Sequence, residues 1–76
     1  MEIDKLLNEV NTEINRAMAL YPKFNSTHEG YAVILEELDE VWEEVKKSKV
    51  SHGNESMRKE LIQVAAMALR FINDLC

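Results

Sequence analysis

A chain of 76 residues with a formal net charge of -5 is sized for one small domain, whose core commonly needs oligomerisation, a metal or a disulfide to make up its stability. Cys76 is the single cysteine, which excludes a disulfide framework within the monomer and fits a reducing compartment; with no signal-peptide pattern and no apolar run of membrane-spanning length, a soluble, cytoplasmic protein is expected. The negative balance argues against a duplex nucleic-acid binder, a DNA-binding three-helix module included, because such a protein needs a basic face to release counterions.

One proline, two glycines and no strand-like alternation predict an all-α chain, a single helical domain over residues 1–76. The first helix is expected over about 2–20. Ile3, Leu6, Leu7, Val10, Ile14, Ala17, Met18 and Tyr21 fall within an arc of roughly 120° at ~100° per residue, one apolar stripe. Pro22 closes this helix by pushing its predecessor out of the α region. The second helix is expected over about 27–47. Ser26 and Glu29 form a capping box, with Thr27 as an alternative cap. Tyr31, Ile34, Leu35, Leu38, Val41, Trp42 and Val45 share one arc, and Lys46 and Lys47 suit the negative end of the helix dipole. The following KSKVSHGNES has loop composition. The third helix, about 55–75, can be capped by Asn54 or Ser56. Its apolar residues, from Met57 to Leu75, cover well over half of its circumference, more than one partner helix can bury. A second copy of the chain is the expected cover, giving a homodimer or homotetramer built as a helical bundle; the alternative is cover by the chain's own first two helices.

The acids are concentrated. In EELDEVWEEV, residues 36–45, six of ten residues are acidic. Glu29, Glu40 and Glu43 lie within roughly 40° of Glu36, opposite the apolar stripe. Alone, that pattern describes a solvated helix face. On the third helix, however, Glu60 has Val64, Met67 and Phe71 as surface neighbours, while the polar sector centres on Lys59, Gln63 and Arg70. A carboxylate against apolar surface must be paired, hydrogen-bonded, metal-bound or neutral. Its partner is either a lysine from another helix or a divalent cation shared with Glu36 and Glu40, one turn apart. Mg²⁺ is a hard ion that takes such oxygen ligands, keeps several waters and more often binds substrate phosphates than serves as a structural staple.

EELDE at 36–40 followed by KELIQVAAMALRFI resembles the paired EExxE and ExxD helices of the all-α nucleoside triphosphate pyrophosphohydrolases, the MazG-like family. HEGYAVILEELDEVWEEVKK is similar to a small phage- and bacterium-associated branch of it. The resemblance spans roughly residues 26–75. It implies an oligomeric, Mg²⁺-dependent (or Mn²⁺-dependent) enzyme that cleaves a nucleoside triphosphate between the α and β phosphates, giving monophosphate and pyrophosphate. Carried over, Glu36, Glu37, Glu40 and Glu60 are the catalytic and metal-holding candidates, one of them free to act as base. One position departs from the pattern. ELIQ places Gln63 where an aspartate is expected. Glutamine offers a carbonyl oxygen but no charge, so metal affinity is expected to fall. Asp74 is about three turns away, too far to replace it. A non-catalytic helical oligomer that keeps the fold but not the chemistry is the alternative function.

Among other residues, Lys59 and His28 are candidate substrate contacts, and His52 a lesser one. Lys46, Lys47, Lys49 and Arg58 can meet a triphosphate or simply balance helix ends. Trp42 and Tyr31 are expected in a core or interface, with base stacking as the other use. Gly30 suggests a close approach by another helix or a ligand.

Overall fold

The structure, a computed structural model, describes residues 2–47 and 55–76. These form three α-helices, α1 (Glu2–Leu20), α2 (Thr27–Lys47) and α3 (Glu55–Leu75), with no strand among the described residues. Helix α1 stops just before Pro22. At α2 the Glu29 N–H donates to the Ser26 hydroxyl at 3.1 Å. The returning Glu29 carboxylate accepts the Asn25 N–H at 2.8 Å, one residue earlier than the usual capping box. Helix α3 already includes Ser56, so Ser56 does not cap it; Asn54, Lys49 and His52 lie outside the described residues.

Helix α3 is the middle element. It packs against both α1 and α2, whose backbones do not approach each other. The core is correspondingly small: Val10, Ala17, Phe24, Val41, Ala66 and Met67 are buried, with Ile14, Val33, Ile34, Ile62 and Phe71 among the half-buried residues around them. Gly30 is where α2 comes close. A Cβ there would lie 2.6 Å from Phe71 Cε2, so the Phe71 ring occupies the space a side chain would need. Phe71 in turn meets Phe24 at a tilt of 59°, ring centroids 6.4 Å apart.

Two polar ties lock the ends of the layer. Arg58 of α3 grips Glu9 of α1 with two hydrogen bonds of 2.6 and 2.5 Å. At the other end Arg70 is buried, which corrects its expected place on the polar sector of α3. Its guanidinium donates to the Tyr21 and Pro22 carbonyls, lies 4.7 Å from the Phe24 ring centroid and pairs with Asp74 at 3.7 Å. Asp74 also accepts the Phe24 N–H at 3.1 Å. This network fixes the α1–α2 connection onto α3.

The packing face of α2 is not the stripe that periodicity suggests. Gly30, Val33, Ile34, Glu37, Val41 and Glu44 are its shielded positions. That face is rotated by roughly 100° from the centre of the apolar stripe, by the helical step. Tyr31, Leu35, Leu38, Trp42 and Val45 are exposed instead, Trp42 by 56%. Trp42 is therefore not in the chain's own core; the Lys46 ammonium lies 5.7 Å from its ring centroid. Helix α1 behaves similarly: Val10 and Ala17 are buried while Ile3, Leu7, Met18 and Tyr21 are exposed. On α3, Leu61, Leu69 and Ile72 remain exposed. Among the described residues, the helices thus leave Leu7, Met18, Leu35, Leu38, Trp42, Leu61 and Ile72 exposed, with the apolar stripe of α2 turned away from its acids.

Candidate metal centre

Rotation of α2 brings acids, not only apolar groups, toward α3. Glu37 points into the α2–α3 seam, with Glu40 one turn along on the same flank, and Glu60 meets them from α3. One carboxylate oxygen from each of the three lies within 4.8 Å of the others. Three carboxylates at this spacing repel one another, and their protonation reflects it. Glu37 is pushed up to about 7, first by desolvation in the seam and then by the charges of Glu40, Glu60 and Glu36. The Glu60 carboxyl is also raised, chiefly by its hydrogen bond to Glu40, then by desolvation and by the charges of Glu40 and Glu44; Lys59 opposes this. Without a cation, desolvation and crowding thus favour the protonated forms of Glu37 and Glu60.

The donor set suits a hard divalent ion. Mg²⁺ places oxygens at about 2.1 Å, so cis ligands sit about 3.0 Å apart and trans ligands about 4.2 Å. At least two of the three pairs must be cis, so the glutamate oxygens, now within 4.8 Å of one another, must draw together to hold one ion directly. All are carboxylates, on two facing helices, with one side open to water.

A cleft of about 450 Å³ opens beside the trio between α1 and α2, floored by α3. Its size is in the range of small-molecule sites. Glu36 and Glu37 line one wall, Gln63 and Arg70 the floor, and Glu13, Arg16 and Tyr21 the other wall. Glu36, expected with the metal ligands, is outside the trio but lines this cleft. Gln63 is also not in the trio; it lies on the floor of this cleft, opposite Glu13 on the α1 wall. Lys59 is exposed on α3 and lines the neighbouring α1–α3 groove with Lys5 and Arg58. His28 is exposed at the start of α2, about 12 Å along the axis from Glu36, so it is not brought to the trio.

Sequence reasoning missed Glu13, Arg16 and Glu44. Arg16 binds Glu13 through two nitrogens, at 3.1 and 2.5 Å. The pair was visible as an i,i+3 couple on the flank of the Val10–Ala17 line, but nothing in α1 announced that this flank faces α2. Glu44 belongs to the acidic run, and its spacing of seven from Glu37 signals the same face.

No family model, no curated protein and no solved structure matches the chain. Among the described residues, no helix is long and apolar enough to cross a membrane.

Proposed function

We propose that the chain is a divalent-cation-dependent nucleoside triphosphate pyrophosphohydrolase of MazG-like type. The convergence of Glu37, Glu40 and Glu60 from two helices carries this reading: acids held so close that they stay partly protonated are poised to exchange protons for a cation. Mg²⁺ or Mn²⁺ there would neutralise phosphate charge and acidify an attacking water. Glu37, Glu40 and Glu60 would hold the cation. Glu36, beside them on the cleft wall, is the carboxylate left to accept the water's proton as its oxygen attacks phosphorus and the bridge to the pyrophosphate breaks. Lys59 supplies positive charge toward the phosphate end. Tyr21 and Phe24, both at the cleft, offer rings for a base.

The exposed apolar residues support self-association. The chain exposes 5660 Å², where a compact chain of 8.8 kDa exposes about 4800 Å². The excess of about 900 Å² is close to what each partner contributes to an ordinary interface. A second copy covering Leu35, Leu38, Trp42 and Leu61 would leave the acidic cleft open. The same surface favours a second reading, a helical oligomer without catalysis.

A pyrophosphate-release screen over ribo- and deoxynucleoside triphosphates separates the two. Mg²⁺- or Mn²⁺-dependent release that disappears in Glu60→Gln supports the enzyme. No turnover of any nucleotide, together with a stable dimer in sedimentation, supports the structural reading.

A further inference from the structure

Helix α2 carries two apolar faces, and the chain itself covers one. Gly30, Ile34 and Val41 are shielded, whereas Tyr31, Leu35, Leu38, Trp42 and Val45 stand between 41% and 64% exposed. The uncovered residues recur at spacings of four, three, four and three. That is the a/d repeat by which one helix packs along another, knobs into holes. At ~100° per residue the stripe lies roughly a right angle away from the shielded line. Helix α2 is thus placed like a corner of a four-helix bundle, with α3 on one side and the other side open. The flanks of the stripe differ. Ile34 and Val41, on the side next to α3, are apolar; Asp39 and Lys46, on the far side, are charged and exposed. Glu36, Glu40 and Glu43 lie at least roughly 120° from the stripe's centre, so their charge does not oppose an approach along it.

We propose that this stripe is covered by α2 of a second copy, packed antiparallel about a two-fold axis, with Leu35 against the partner's Leu38 and Tyr31 against the partner's Trp42. A two-fold contact needs a surface that complements itself, and antiparallel packing supplies it by setting like flank on like flank. Ile34 then nears the partner's Val41, and the two polar flanks face each other. A parallel pair would instead set Asp39 of one copy against Ile34 of the other, a charge against apolar surface. Two antiparallel registers match a to d positions over four layers. The one centred between Leu35 and Leu38 keeps the two Asp39 carboxylates about 7.5 Å apart along the axis, whereas the one centred on Glu40 brings them to about 3 Å. The chain's surplus of about 900 Å² of exposed surface matches the roughly 800 Å² that each partner gives to an ordinary interface. This inference rests on the self-association argued above and is independent of the acidic trio.

Sedimentation velocity of the full chain and two variants, each checked for helicity by circular dichroism, tests the pairing. The unaltered chain should be a dimer at micromolar concentration. Trp42→Glu, which places a charge on the stripe but outside the chain's own core, should give monomers at unchanged helicity. Leu7→Glu, on an exposed apolar position of α1, should leave the dimer whole. Spin labels on Lys47→Cys in a Cys76→Ser chain read the orientation without altering the stripe. Antiparallel pairing in the stated register holds them about 30 Å apart along the axis, and parallel pairing sets them side by side. Should Trp42→Glu fail to fold, this distance decides alone. A dimer that survives Trp42→Glu, a dimer lost in Leu7→Glu as well, or labels side by side overturns the α2 pairing and leaves self-association standing. A monomeric unaltered chain overturns both.

Discussion

Two clusters of charge along α3 are handled in opposite ways. Near its C-terminus, Arg70 and Asp74 are almost wholly shielded, and each is engaged by the other and by the backbone of the α1–α2 connection. Near its N-terminus, Glu60 faces Glu37 and Glu40, with Glu44 close enough to raise it further. The first arrangement balances its charges inside the chain and fastens the α1–α2 connection onto α3, though Arg70 Nε is left buried without a hydrogen-bond partner. The second is open, and its charge is balanced by protons or by something from outside. Charge that completes its own partners reads as architecture, and charge that lacks them reads as a site.

The largest test of this contrast is at the Arg70–Asp74 cluster. Asp74→Ala removes an acceptor of the Phe24 N–H and leaves Arg70 buried without its carboxylate. Breaking a buried pair from one side costs about 3–5 kcal/mol, a large part of what a domain this small possesses. Urea denaturation should show that loss; a cost under about 1 kcal/mol would mean the network fastens nothing. Gly30→Ala is next. Helix propensity favours alanine by about 1 kcal/mol, but the new Cβ enters the Phe71 ring's space. Overpacking of about 1–3 kcal/mol should prevail, giving a small net destabilisation that Phe71→Leu relieves.

The smallest effect belongs to the open cluster and has the reverse sign. Glu37 binds its proton more tightly folded, at about 7 against 4.5 for a free glutamate side chain. The fold gains from that proton below about pH 4.5, loses the gain as pH rises through 7, and has none of it above. Because water reaches the trio, the loss is discounted to on the order of 1 kcal/mol. Denaturation at pH 5 and pH 8 should reveal it, and Glu37→Gln should flatten the difference and stabilise the cation-free chain at pH 8.

Much of the fold was legible. The three helices follow from periodicity, and the stop before Pro22 and the Ser26–Glu29 cap follow from local chemistry. The orientation of α2 was not legible, because an apolar stripe marks a face that avoids water without saying what covers it. Periodicity assigned Leu38 and Trp42 to the buried side; the chain's own packing uses Gly30, Val33, Glu37 and Val41, since glycine lets α2 settle over Phe71. The acidic trio was half legible for the same reason. Glu40 and Glu60 were named with Glu36 and Glu37, yet only the seam's geometry selects Glu37 over Glu36. Arg70 was misplaced because a helical wheel counts arginine as polar, although Asp74 one turn later gave it a partner with which to be buried.

The central claim is that Glu37, Glu40 and Glu60 form a seat for a divalent cation. Calorimetric titration of Mn²⁺ at pH 6 and pH 8 tests it most directly. One cation per chain is predicted, bound more tightly at pH 8, with proton release at pH 6 and loss of binding in Glu60→Gln. No binding at either pH by a folded protein would contradict it and leave the trio a crowded acidic surface.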